Sequence, residues 1–300
     1  MLAAAALFST GGMAIKACNL TGWQVACFRS GLGALTLLLL IPGTRRVHSW
    51  SRRTLLVGVA YAATLCLYVL SNKLTTAANA IFLQSTAPLY LLLVSPLLLK
   101  ERIQVRELWF LAVMALGLSL FFWGHEAPQA TAPNPALGNV LAAVAGLTWA
   151  LTVAGLRWLA RTEGREGGSP AGAAAGAAVA GNLLVFLVCL PLALPVGDAA
   201  PADWLWVGYL GVLQIGLAYV FMTRSVRRVP ALEGALLLLL EPVLNTLWAW
   251  LVHGEVPGTW SRIGALTILV ATLVHTLRSR TRSRNGARYD PSAAAASSDS

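Results

Sequence analysis

The chain has 300 residues, of which 57% are hydrophobic and only 11% charged, and its mean hydropathy is +0.68. Soluble globular domains carry about 25% charged residues, so this composition excludes a soluble fold and marks a membrane protein. The formal net charge of +10 would suit a nucleic-acid binder, but its distribution along the chain does not.

A bilayer-spanning helix needs about 20 mostly apolar residues. Ten windows meet that requirement, at 2–18, 22–42, 54–72, 77–99, 107–123, 138–158, 174–196, 204–222, 231–252 and 261–278. The first has no basic stretch ahead of it, which a cleaved signal peptide would need, and is read as a retained first span of a chain with a clipped or misassigned start. The seventh is the weakest, because its first half, "SPAGAAAGAAVAG", is alanine and glycine. Beyond 278 the chain is basic and then Ala/Ser-rich, a composition expected to be disordered.

The basic residues follow the loops. With both termini cytoplasmic, 18 of the 22 Lys and Arg residues fall on the cytoplasmic side, and the loops "GHEAPQATAPNPALG" and "VGDAAPAD" opposite contain none. The remaining four, Lys16, Arg29, Lys73 and Arg262, lie in or near external ends of spans. Basic residues near span ends stay cytoplasmic, so the charge reports topology rather than a nucleic-acid surface.

One pattern appears twice. Ala77, Pro88 and Glu101 punctuate "AANAIFLQSTAPLYLLLVSPLLLKE", and Ala231, Pro242 and Glu255 punctuate "ALEGALLLLLEPVLNTLWAWLVHGE". A single offset of 154 aligns all three landmarks. A weaker echo pairs "FSTGGMAIK" at Phe8–Lys16 with "WALTVAGLR" at Trp149–Arg157. Five spans per copy, an odd number, turn the second copy over. The expected fold is an all-α membrane protein of ten transmembrane helices in two inverted five-helix repeats. Their bounds are 1–123 and 138–278, followed by a tail at 279–300. Such duplicated bundles place a substrate site near the bilayer midplane where the halves meet.

These residues resemble those of EamA-type members of the drug/metabolite transporter superfamily. The resemblance is carried by "FSTGGMAIK", by Arg29 in the second span, by "APLYLLLVSPLLLKER" and by "LEPVLNTLWAWLVHGEVP", and covers residues 2 to about 278. Phe8-Ser9 stands where the family usually has tryptophan-glycine. The resemblance implies a secondary transporter in the cytoplasmic membrane that exports small metabolites such as amino acids, or alternatively drugs and toxic compounds.

Glu241 sits near the middle of the ninth span, directly before Pro242. An ionised acid at bilayer centre costs about 2.5–3.5 kcal/mol on insertion scales, so such residues usually face an interior cavity. Two readings stand: a proton-exchange site, or a neutral acid bracing the kink. Pro242 removes an amide donor and frees the carbonyl of Leu238, as Pro88 frees that of Gln84. Asn245 and Trp248 share the helical face of Glu241. Gln84 suits either substrate contact or a helix–helix hydrogen bond. Arg29 lies about 10 Å inside its span end at about 1.5 Å rise per residue. It can therefore snorkel to the interface, pair with Glu241 or hold a substrate carboxylate. Lys16, nearer its span end, is expected to snorkel. Trp149, Tyr61, Tyr68 and Tyr219 lie deep and either pack the bundle or line a pocket.

An intramembrane enzyme finds little support, since the four aspartates fall in loops or tail and no histidine is placed to activate a buried serine or complete a metal cluster. No phosphate-cradling glycine loop with lysine is present, which argues against an ATP-driven pump. Cys18, Cys27, Cys66 and Cys189 are read as small hydrophobes. The expected partners are a small-molecule substrate, the lipid bilayer and protons, with no cofactor, metal or nucleic acid. The expected assembly is a monomer or homodimer, and a non-transporting sensor or assembly protein remains an alternative of another class.

Overall fold

The computed structural model describes residues 1–41, 44, 50–98, 107–123, 127–165, 169–226, 229 and 231–288. Among these the structure is all helical. In hydrocarbon no water can satisfy a free amide, so each apolar stretch closes its own hydrogen bonds as a helix. In chain order the helices are α1 (Leu2–Ser9), α2 (Gly11–Ala17), α3 (Gly22–Leu40), α4 (Arg52–Leu74), α5 (Ala77–Gln84), α6 (Ala87–Leu98) and α7 (Leu108–Trp123). They continue with α8 (Pro135–Arg165), α9 (Pro170–Ala193), α10 (Pro201–Gly208), a π-helical segment (Tyr209–Leu217) and α11 (Ala218–Val226). The last are α12 (Ala231–Leu238), α13 (Leu240–His253) and α14 (Thr259–Arg288). Eight described helices are long and apolar enough to cross a membrane, and Leu2–Ala17 and Leu108–Trp123 form two shorter apolar stretches.

Side chains that compete with a helix interior are used at its ends. Thr21 and Gln24 form a reciprocal capping box on α3, while Ser51, Thr76 and Ser169 cap α4, α5 and α9. Gly254 ends α13 in the left-handed region at φ 65°, where a Cβ would be strained.

Three expectations change. The first span is not one helix but two, broken at Thr10. The seventh, expected to be the weakest, has the highest mean hydropathy of the eight, 2.2, and lies in the middle of the bundle as α9. Its alanines and glycines let α3 and α4 approach closely: Tyr61 lies against Gly181 and Gly58 against Ala180. Finally, α14 runs on to Arg288, past the start expected for the tail, because no proline interrupts the chain before Pro291. Residues 289–300, like Glu101, fall outside the described residues.

The helices of the first half pack on those of the second. Helices α3 and α9 run antiparallel, with Gln24 donating to the Ala193 carbonyl at 3.2 Å and Gly33 facing Asn182. Helices α7 and α14 also run antiparallel, from Trp123–Trp260 at one end to Phe110–His275 at the other. Midway along that pair Gly117 and Gly264 each face the other's carbonyl. Large apolar side chains such as Leu56, Trp123, Leu205 and Leu266 point outwards, as a lipid-facing surface requires.

Candidate functional site

Two of the helices are broken at matching places. Helix α5 ends at Gln84 and α12 ends at Leu238, in each case four residues before a proline, Pro88 or Pro242. Proline cannot donate to the carbonyl four residues back, so the first helix of each pair stops there. The freed backbone is accommodated by a neighbour. A Cβ at Gly146 on α8 would sit 2.9 Å from the Leu83 carbonyl and 3.2 Å from that of Gln84, so only glycine admits the break. Glu241 lies in the first turn of α13, just past the second break. That helix end carries positive partial charge, which favours a carboxylate.

At one end of the bundle Lys16 and Glu255 form an ion pair at 2.8 Å, each side chain only 2% exposed. Lys16 also donates to the carbonyls of Thr75 and Thr131, and Glu255 Oε2 accepts the amide of Ala77 at 2.9 Å. Lys16 therefore does not snorkel: α2, α5 and α13 converge around it and supply a better partner than the interface. Nearby, Asn245 accepts from the Gly12 amide at 3.1 Å and donates to the Ala77 carbonyl at 3.0 Å. A Cβ at Gly12 would lie 2.5 Å from Asn245 Oδ1, so glycine is needed for this contact. His253 donates to the Met13 carbonyl, and Lys73 to that of Cys18. Asp203 accepts from the amides of Asn19 and Ala200. The whole end is knitted by hydrogen bonds between the two halves.

The centre is different. Arg29 is 1% exposed, so it is no interfacial anchor, and its Nε and Nη1 meet no hydrogen-bond acceptor among the described residues. Its guanidinium lies within electrostatic reach of Tyr61, Tyr68 and Cys66 on α4. Tyr68 is in turn within electrostatic reach of Glu241. Tyr61 packs against Trp149 with ring centroids 6.2 Å apart and neighbours Tyr219. Asn182 is within side-chain hydrogen-bonding reach of Tyr61, and its Oδ1 accepts no well-formed hydrogen bond among the described residues. The π-helical segment closes this region, with Gly211 held against the Arg29 carbonyl. Wide helical turns of this kind are frequent at functional sites.

The structure thus brings Arg29, Tyr61, Tyr68, Trp149, Tyr219 and Glu241 towards one interior region. Asn245 and Trp248 belong instead to the contact of α13 with α1 and α2, where Trp248 donates to Ser9 Oγ at 3.1 Å. On the face they share with Glu241, Asn245 is buried and Trp248 and Glu241 are half-buried. Gln84 is half-buried at the helix break, and its Oε1 meets no donor among the described residues. Sequence reasoning missed the Lys16–Glu255 pair and Asn182. It also gave no role to Cys66 and Cys189, whose sulfurs lie 3.8 Å apart between α4 and α9. Opposite charges at the same end of two spans were the available signal for the ion pair.

The EamA-like transporter family model matches residues 1–123 and again 136–277, and the chain belongs to that family. Its function is therefore that of a multi-pass membrane transporter. It is similar to the pseudopaline exporter CntI of Pseudomonas aeruginosa, with 27% identity over 252 residues, covering 83% of this chain and 84% of the relative. An uncharacterized transporter of Archaeoglobus fulgidus is 27% identical over 238 residues, covering 79% and 81%. A crystal structure of a protein 22% identical superposes with a TM-score of 0.61 over 93% of this chain and 96% of that one, which shows a shared fold.

Proposed function

We propose that the protein is a secondary exporter of small metabolites, built from two inverted five-span repeats at 1–123 and 138–278 and working by alternating access with proton exchange at Glu241. The observation that carries this reading is the pair of breaks four residues before Pro88 and Pro242, in halves whose corresponding helices α3 and α9, and α7 and α14, run antiparallel. A pseudo-two-fold axis in the membrane plane produces that relation, and broken helices at its centre supply backbone groups and helix ends to a substrate. Two matches of one family model and a relative named as an exporter support it further. In this reading both termini are cytoplasmic and the Lys16–Glu255 end faces outside, where it latches the external gate shut.

The test is efflux from proteoliposomes of a panel of amino acids and cationic dyes, with and without a pH gradient. Gradient-stimulated movement of a panel member supports the proposal, and no movement of any of them counts against it. For topology, single cysteines replacing Ala130 or Ala200 in a cysteine-free background should react with an impermeant reagent applied outside. A cysteine at Ser51 should not, and its labelling would reverse the orientation.

A further inference from the structure

We infer that Arg29 is the anchor for the carboxylate of a monoanionic or zwitterionic solute; the inference rests on the transporter reading and names the solute class of that same interior region. A buried guanidinium without a counter-charge is costly, and interior cations in membrane proteins are normally paired or functional. Arg29 is 1% exposed, two of its three nitrogens have no acceptor, and no carboxylate of the described residues is paired with it. The other interior cations are already engaged, Lys16 by Glu255 and Lys73 by the Cys18 carbonyl.

The chemistry of the surroundings narrows the ligand. A guanidinium is a planar fork that meets a carboxylate through two parallel hydrogen bonds. Arg29, the one of these three interior cations with nitrogens that meet no acceptor among the described residues, balances one negative charge. A dianion would carry its second charge towards Tyr61, Tyr68 and Glu241, where none of the described groups offsets it. Glu241, which like Arg29 is within electrostatic reach of Tyr68, suits the ammonium of a zwitterion. Tyr61, Trp149 and Tyr219 give an aromatic wall for the rest of the molecule.

The experiment is thermal unfolding of the purified protein in detergent with each of the 20 L-amino acids and a series of short monocarboxylic acids. Every acid is compared with its carboxamide at the same concentration. The expected result is that at least one acid raises the melting temperature while its amide does not, and that Arg29→Gln abolishes the shift. Arg29→Lys keeps the charge but not the fork and should retain a smaller shift. Without added acid, Arg29→Gln should melt at or above the wild type, because it removes an unpaired buried charge. Equal shifts from acid and amide, no shift from any acid, a shift that survives in Arg29→Gln, or a ligand-free Arg29→Gln melting well below the wild type would each overturn the inference. Vesicle flux of the stabilising acid separates the two proposals. Acid binding through Arg29 without flux defeats the transport reading and leaves the site standing. Flux of a panel solute at the wild-type rate in Arg29→Gln defeats the site and leaves transport standing.

Discussion

Two buried cations divide this molecule. Lys16 has a carboxylate, two carbonyls and a closed shell of neighbours, whereas Arg29 has tyrosines, a thiol and unmet donors. Both sit on apolar helices, and both are buried inside the bundle. In the proposed transport reading the difference lies in what each region would have to do. A gate that is shut in one state can satisfy its polar groups internally, because the bonds are the closure. A site that must accept a solute has to leave bonding capacity open, at a cost in stability.

The largest effect expected from this contrast is at the paired end. Lys16→Gln or Glu255→Gln leaves one charge buried alone, and breaking a buried pair in this way costs about 3–5 kcal/mol. Each single variant should lose most of its folded yield or melt far lower. The double variant Lys16→Gln/Glu255→Gln should recover a large part of that loss, since no charge is stranded. Melting of all four proteins in one detergent checks this, and additive losses in the double variant would show that the two residues do not act as a pair.

A smaller effect compares two buried asparagines. Asn245 is bonded to both the Gly12 amide and the Ala77 carbonyl, so Asn245→Leu strands backbone groups at a cost of about 1–3 kcal/mol. Asn182 donates to the Ala178 carbonyl four residues back in its own helix, it touches Tyr61, and its Oδ1 meets no donor by distance and angle among the described residues. Asn182→Leu should therefore change stability by much less, within about 1 kcal/mol. Equal losses at the two positions would mean that the centre is as tightly bonded as the Lys16–Glu255 end.

Much of this was legible in the amino-acid order, and the limits have physical causes. Hydropathy located the apolar helices, and the doubled proline motif located both breaks, because the missing amide is a local covalent fact. Lys16 was misread because a lysine one turn from a span end has the same sequence signature whether it snorkels or pairs. The outcome depends on α2 meeting α13, a contact between segments at opposite ends of the chain. Arg29 was ambiguous for a related reason: its depth allowed snorkelling, and only the closure of α4, α9 and the π-helical segment around it removes that route. The alanine-rich α9 looked weak because small residues lower the apparent apolar bulk, yet small side chains are what a central helix with close neighbours needs.

The smallest effect on stability, and the most informative for mechanism, is at Glu241. It lies within electrostatic reach of Tyr68, in the first turn of α13, and keeps part of its surface accessible. Glutamine preserves the shape and most of the hydrogen bonding but cannot exchange a proton, so Glu241→Gln should melt within about 0.5 kcal/mol of the wild type. If Glu241 carries the coupling proton, the variant should lose acceleration of net flux by a pH gradient while still binding solute and exchanging it across the bilayer. If Glu241 only braces the α12–α13 break as a neutral acid, glutamine should transport with the wild-type pH response, and only Glu241→Leu should lower folded yield. Net flux and exchange measured side by side, with and without the gradient, decide between them. The ratio of the two rates separates a lost proton step from a damaged site, since damage at the site slows both.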